Sequence, residues 1–234
     1  MTTPKTKKAS GKRTGVVPAK RHDASTREAA TRDRILRTAL DVFSRVGFKG
    51  ASIAEIAQRG HVSPPLIHYY FKTKTEVWRA AIDAGIGGVI ADLQLSLKDL
   101  HEVSPISKLK FFVRRYINLM AERPDVFLLI VRESESPGPR LTWLSATHLA
   151  PLYRTINTLI EEAQASGALK SIAPPYHVAQ VIIGACYHFI ASRTRMQEAY
   201  GIDTHVPEIR DRHAALVIEA LFSGLETRPE PTRT

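Results

Sequence analysis

The sequence predicts an all-α fold, and three observations carry that prediction. Apolar residues recur at helical spacing along most of the chain, turn-forming residues punctuate them at helix-length intervals, and no segment alternates convincingly as a strand would. The chain divides into a basic arm over 1–28, a three-helix unit over 29–76, a larger helical domain over 77–226 and a flexible tail over 227–234.

The first helix carries Ile35, Leu36, Ala39, Leu40 and Phe43 on one face and ends near Gly47. Two short helices follow, from Ser52 to about Arg59 and from Ser63 to about Tyr70. Thr73 or Thr75 caps a longer helix carrying Val77, Trp78, Ala81 and Ile82, which Gly85, Gly87 and Gly88 should weaken or bend. Leu109, Phe112, Val113, Tyr116, Ile117 and Met120 form the next stripe, stopped before Pro124. After the turn cluster Ser134-Glu135-Ser136-Pro137-Gly138-Pro139 comes a stripe of Leu149, Leu152, Tyr153, Ile156, Leu159 and Ile160, ending at Gly167. Val178, Val181, Ile182, Ala185, Cys186 and Phe189 make another, widened by Ile183, Tyr187 and Ile190. Ala214, Val217, Ile218, Leu221, Phe222 and Leu225 make the last.

The net charge of +10 favours an anionic partner, nucleic acid or membrane surface. Residues 1–28 concentrate it: Lys5, Lys7, Lys8, Lys12, Arg13, Lys20, Arg21 and Arg27 stand against only Asp23 and Glu28. With almost no apolar residues, that arm should be disordered in isolation, either as a solubilising tail or as an arm that tracks DNA. One cysteine, Cys186, excludes an internal disulfide and fits a reducing compartment. No apolar run reaches the roughly 18 residues that span a bilayer, and the N-terminus has no apolar core of a secretory signal, so a cytoplasmic protein is expected. The nine histidines include no pair at i,i+3 or i,i+4, which leaves a helical metal site unsupported. A Gly-rich phosphate loop and a nucleophile elbow are both missing, and Cys186 sits on an apolar stripe, where a thiol is inert packing. No enzyme, cofactor or metal is expected.

The informative segment is residues 52–71, SIAEIAQRGHVSPPLIHYYF. Ile53, Ile56 and Ala57 give a two-turn helix an apolar face, Gly60-His61-Val62 is a tight turn, and Ser63 caps a second helix. Pro64 and Pro65 are tolerated at its start, where N–H groups have no intrahelical acceptor. Ala57 is small where the helices must approach, and Val62 can plug the wedge between them. Two short helices held at a wide angle by such a turn are a DNA-reading unit, although the same spacing also occurs in plain helical hairpins.

The flanking residues sharpen this reading. Thr31-Arg32-Asp33-Arg34-Ile35-Leu36, Ala39, Phe43, Gly47-Phe48, Ser52, Ile56-Ala57, Val62-Ser63, Tyr69-Tyr70-Phe71 and Lys74 form one ordered set from about Thr31 to Ile82. On that set the chain closely resembles the TetR family of transcriptional regulators. A weaker likeness to its pyrimidine-utilisation-type members lies around Ser166-Gly167-Ala168-Leu169. Two positions depart from the family: His61 stands where a glycine is usual, and His68 where tyrosine is common. The resemblance implies an N-terminal helix-turn-helix DNA-binding domain followed by a helical ligand-binding and dimerisation domain.

Thr31, Arg32, Ser52, Tyr69 and Lys74 match family positions that touch the DNA backbone, and hydroxyls, helix N-termini and lysine suit phosphate. Base reading falls to Ser63, Pro64, Pro65, Leu66, His68 and Tyr69. That set lacks Arg, Asn and Gln, so direct readout should be modest, with apolar contact to thymine methyls and much affinity from phosphates. The resemblance also implies a homodimer through the last two long helices, about 174–197 and 205–225. It further implies a pocket for a small-molecule effector of hydrophobic or aromatic character. Candidate lining residues are Phe112, Tyr116, Phe127, Trp143, His148, Tyr187 and His188, types that more often pack in a core than bind a ligand, and Arg132, which could pair with an anionic effector or form a salt bridge near Glu133. A repressor released by that effector from a palindromic double-stranded DNA operator is the expected function. A membrane-surface or adaptor protein using the basic arm is the competing reading. Deleting residues 1–25 should weaken operator binding more than it alters sequence choice, as a basic arm in a flanking minor groove would. Fluorescence anisotropy on cognate and scrambled duplexes checks this, and unchanged affinity of the truncated chain refutes it.

Overall fold

The computed structural model describes residues 20–100 and 102–225, and every regular element longer than an isolated bridge among them is helical. Helix α1 spans Lys20–Gly50. Its stripe of Ile35, Leu36, Ala39, Leu40 and Phe43 is fully buried. At Gly47 φ is +71°, a conformation that glycine adopts freely, and the regular helix breaks there as the sequence predicts before one more turn reaches Gly50. Residues 20–28, which composition assigns to a disordered arm, are instead the first turns of α1. Their alanines and charged residues are good helix formers upstream of a helix that packing already holds. Residues 1–19 and the tail from 226 lie outside the described residues.

Helices α2 (Ile53–Arg59), α3 (Pro64–Tyr70) and α4 (Lys74–Ile82) follow. The glycine cluster does not bend the chain away. It is absorbed in a π-turn, Asp83–Gly87, that leads directly into α5 (Gly88–Lys98). The Cβ of any other residue at 85 would lie 2.6 Å from Leu40 Cδ2, so glycine there lets α1 lie against this turn. Residues 74–98 thus form one helical rod which, contrary to the expectation from run length, is long and apolar enough to cross a bilayer. Here its Val77, Trp78, Ala81, Ile82, Ile86 and Leu93 are core residues.

The body comprises α6 (Pro105–Glu122), α7 (Pro124–Ser134), α8 (Pro139–Leu144), a second π-turn (Ser145–Leu149) and α9 (Ala150–Ala165). Then come α10 (Pro175–Ala191), α11 (Arg193–Tyr200) and α12 (Pro207–Leu225). Proline opens α3, α6, α7, α8, α10 and α12, where its missing N–H costs nothing. Helix α6 is the hub: it packs on α5, α7, α9, α10 and α12 and buries Leu109, Phe112, Val113, Tyr116, Ile117, Leu119 and Met120. The expected single helix over 174–197 is two, because the chain turns at Ser192 and α11 buries no residue. Its Arg193-Thr194-Arg195 start offers no apolar face to continue the stripe.

Head and body meet along α1 and α7 and around Trp78. The Trp78 indole is fully buried, edge-on to Phe48 at 6.2 Å and tilted against Trp143 of α8 at 5.4 Å. Its Nε1–H has no hydrogen-bond partner. Replacing Trp78 by Ala should cost about 3–5 kcal/mol of folding stability. Trp78→Phe should cost clearly less, since it keeps a ring and deletes an unpaired donor; urea unfolding of the two variants measures the difference.

Candidate nucleic-acid interface and ligand cavity

The α2–α3 unit is set by its two caps and the turn between them. Ser52 precedes α2 in extended conformation and its hydroxyl accepts from Glu55 N–H at 3.0 Å, which leaves the hydroxyl proton free for an external acceptor. At the other end, Val62 N–H reaches Ala57 C=O at 3.0 Å and His61 N–H reaches Gln58 C=O at 3.3 Å. This paired closure places its intervening residue in the left-handed region, usually as glycine. That residue is His61, at φ +50°, the only non-glycine with positive φ among the described residues. Val62 packs against the core beside Ala57, as the wedge between the helices requires.

Helix α3 buries Ile67 and leaves Ser63, Pro64, Pro65, His68 and Tyr69 exposed, with Leu66 half-buried. Ser63 occupies the N-cap position, yet its hydroxyl makes no capping bond. The two prolines explain this: they remove the first N–H groups, and Leu66 N–H bonds to the Ser63 carbonyl instead. The hydroxyl is therefore unspent. Tyr69 projects beside Tyr70, whose own hydroxyl donates to the Glu28 carbonyl at 3.4 Å and ties α3 to the start of α1.

Arg32, Ser52 and Tyr69 are exposed on this side, with the Arg32 guanidinium 5.5 Å from the Phe71 ring centre. Thr31 and Lys74 have internal duties that the sequence does not disclose. The Thr31 hydroxyl donates to the Arg27 carbonyl at 2.9 Å. The Lys74 ammonium is half-buried, donates to the Ala51 carbonyl at 2.6 Å and sits 4.6 Å from the Phe48 ring centre. Its charge helps close the turn between α1 and α2. Of the two caps the sequence offers for α4, Thr73 is the one used, and the residue that sequence reasoning misses here is its partner Glu76. Thr73 accepts from Glu76 N–H at 3.1 Å and starts α4, while the Glu76 carboxylate accepts from Lys72 N–H at 3.1 Å. The Thr-x-x-Glu spacing is a signal that could have found it.

The candidate pocket residues fall into four groups, with Phe127 in two of them. Phe127 and Tyr187 line an open cavity of about 260 Å³ between α6, α7 and α10, with Met120, Ile190, Arg193 and His205. Tyr116 and Phe127 line a small, partly open apolar void of about 20 Å³ facing Ile86 of the first π-turn and Val89, Ile90 and Leu93 of α5. Phe112 stacks on Tyr116 behind it, 5.5 Å between centres. Burial pushes the Tyr116 phenol well above its usual range and the Cys186 thiol up to about 12, which leaves both uncharged near neutrality.

Trp143 and His148 do not line a cavity in this way; they form the joint between head and body. His148, from the second π-turn, is within 2.8 Å of Asp83 in the first, and its ring meets Trp143 edge-on at 5.4 Å. Arg79 of α4 lies over Trp143. Arg132 and His188 are exposed, so neither faces the apolar interior. The buried charge on α7 is Glu133, which Arg140 binds at 3.0 Å while lying 4.3 Å from the Phe48 ring centre. Arg132 and Glu133 are neighbours in sequence, and helical phase alone sends one outward and the other inward.

Helices α10 and α12 pack side by side and expose Val181 and Leu216. A shallow groove of about 450 Å³ runs between them, floored by Val178, Ile182, Ala220 and Leu221. His213 holds the pair together: its Nε2 is 3.0 Å from the Ala185 carbonyl and its ring stacks on Phe189 at 4.1 Å. Among the described residues no group of three metal-ligating side chains comes together.

Two family models match the chain. Bacterial regulatory proteins of the tetR family match residues 35–81, and a tetracyclin repressor-like C-terminal domain matches residues 105–221. The HTH-type transcriptional repressor NicS of Pseudomonas putida is 25% identical over 204 residues, covering 83% of this chain and 92% of NicS. The HTH-type transcriptional regulator RutR of Escherichia coli K12 is 27% identical over 188 residues, covering 78% of this chain and 79% of RutR. Among solved structures, Bacillus subtilis FadR in complex with stearoyl-CoA has a TM-score of 0.65 at 19% identity, over 82% of this chain and 98% of that one. AibR in complex with isovaleryl coenzyme A and operator DNA has a TM-score of 0.65 at 15% identity, over 82% and 98%. These two structures support the fold.

The caps make opposite predictions for two serines. Ser52→Ala should lose about 1 kcal/mol of stability with its cap, whereas Ser63→Ala should leave thermal unfolding unchanged and still weaken DNA binding. His61→Gly should raise stability by up to about 1 kcal/mol through relief of the left-handed backbone. Calorimetry on the three variants, with anisotropy on the operator for Ser63→Ala, checks the set.

Proposed function

The chain belongs to the tetR family of bacterial regulatory proteins, and from that premise we propose that it is a dimeric repressor released from a palindromic operator by a small apolar effector. The observation that carries the DNA-reading part is the α2–α3 unit. Its turn is locked by two main-chain bonds at a strained His61, and its second helix presents Ser63, Pro64, Pro65, His68 and Tyr69 outward. We take residues 29–76 as the reading head and 77–226 as the effector and dimerisation domain. A regulator that reads operator DNA works in the cytoplasm, where we place it.

Helices α10 and α12 are the dimer face in this reading. A second copy would cover Val181, Leu216 and the apolar groove, and would supply the other reading head that a palindrome requires. The effector would occupy the cavity beside Phe127 and Tyr187. The crystallised complexes of FadR with stearoyl-CoA and of AibR with isovaleryl coenzyme A and operator DNA support a small-molecule ligand for a protein of this fold.

Release then works as a shift between two head spacings. The path runs through the π-turns: Ile86 faces the inner void, Asp83 in the same turn is bonded to His148, and α4 follows directly on the head side. A ligand that displaces Ile86 moves the rod on which Trp78 and α4 are built. The required difference in ligand affinity between the two states is on the order of a few kcal/mol.

Operator affinity should fall steeply between low and physiological salt, because phosphate contacts release counterions. A binding constant that barely moves in that range contradicts the reading. The double variant Val181→Glu with Leu216→Glu should sediment as a monomer and lose affinity for the palindrome, since each charge would be buried against its own copy.

A further inference from the structure

The turn between α2 and α3 has three positions, and only one of them faces solvent with a side chain. Gly60 lies against α1: a Cβ there would meet Ile56 C=O at 3.0 Å and the Thr38 hydroxyl at 3.4 Å. Val62 packs against the core. His61, between them, is exposed, and its ring has no hydrogen-bond partner among the described residues. The turn therefore projects an imidazole that has an N–H to donate and nothing within the fold to receive it.

That imidazole is held at a cost. With φ at +50°, His61 keeps a left-handed backbone that glycine would adopt without strain. The bonds from His61 N–H to Gln58 C=O and from Val62 N–H to Ala57 C=O hold it there. Folding alone would favour glycine, since the ring contributes no internal bond. A strained residue with an unused polar side chain, inside a binding unit, points to a contact outside the chain.

The same end of the unit is short of donors. A recognition helix approaches DNA with its N-terminal end, where main-chain N–H groups ordinarily meet phosphate. Here α3 opens with Pro64 and Pro65, which have no N–H, and Leu66 N–H is spent on the Ser63 carbonyl at 3.0 Å. Donors must come from side chains instead. The Ser63 hydroxyl, which makes no capping bond, is one. His61 lies two residues earlier, within about 7 Å of Ser63 along the chain. The cation that ends α2 is already engaged: Arg59 bonds Asp41 of α1 at 3.0 Å, and Asp41 also holds Arg45 at 2.8 Å.

We propose that His61 is a DNA-contacting residue, whose imidazole donates to a backbone phosphate of the operator beside the Ser63 hydroxyl and clamps the α2–α3 turn on the duplex. Such a contact fixes register and orientation and carries no sequence information. The proposal rests on the reading of α2–α3 as a DNA-reading unit, and adds a contact supplied by the turn and not by the recognition helix.

Fluorescence anisotropy of the full chain tests it on two duplexes: a palindrome selected from random-sequence DNA by the wild-type protein, and a scrambled duplex of equal length. His61→Gly should melt up to about 4 °C higher than the wild type, yet bind both duplexes about three- to tenfold more weakly. His61→Asn and His61→Asp separate the contact from the stiffness of the turn, because both residues tolerate the left-handed backbone. The Asn variant keeps a donor and should bind more tightly than Gly; the Asp variant repels phosphate and should bind more weakly than Gly. A looser turn alone would place Asp beside Asn. Wild-type affinity in His61→Gly, equal affinities of the Asn and Asp variants, or a loss confined to the selected palindrome overturns the phosphate contact. If selection recovers no sequence and the wild type binds neither random nor scrambled duplex, the DNA-reading function falls and the contact with it. If the wild type binds and the ranking fails, the contact alone falls.

Discussion

The burial of Trp78 is the contact on which the remaining architecture depends. Its indole lies between Phe48 at the end of α1 and Trp143 of α8, so one side chain belongs to the core of the head and to that of the body. Cations surround this aromatic group: Lys74 and Arg140 on Phe48, Arg79 on Trp143. Each such contact is worth about 0.5–2 kcal/mol, and their value here lies in direction, since they fix the ring planes that head and body share. The His148–Asp83 contact then joins the two π-turns beside it. A change in the body has few ways to dissipate before it reaches α4.

The reading unit shows how local rules bend to a surface requirement. His61 occupies a backbone conformation that glycine would adopt without cost, and the paired turn bonds hold it there. The prolines that open α3 remove two donors from its N-terminus and free the Ser63 hydroxyl from capping. Ser52, by contrast, caps α2 and retains a proton to donate. The two serines look alike in the sequence and differ in what each has left to offer a phosphate.

In the body, burial and function divide the aromatic residues by position. Phe112 supports, Tyr116 and Phe127 border unfilled space, and Trp143 joins domains. All are aromatic residues on apolar stripes, and composition alone cannot rank them. Cavities arise where the shapes of neighbouring helices fail to interlock, which depends on crossing geometry among α6, α7, α9 and α10.

By itself, the sequence determined the all-α fold, the order and approximate bounds of the helices, and the reading unit from Ser52 to Phe71. These follow from apolar periodicity, proline placement and capping residues, which act over one or two turns and so are written locally. Through the family resemblance it also marked His61 as standing where a glycine is usual. Only the tertiary structure decided that the glycine cluster becomes a π-turn, that α1 reaches back to Lys20, and that the stripe after Pro174 stops at Ser192. It alone sent Arg132 outward and Glu133 inward, gave Lys74 to the Ala51 carbonyl, moved Trp143 and His148 from pocket to joint, and set Phe127 between two spaces. Each of these outcomes depends on which partner a side chain meets across the fold. That meeting is fixed by helix phase and crossing angle, not by the residue's neighbours in the chain.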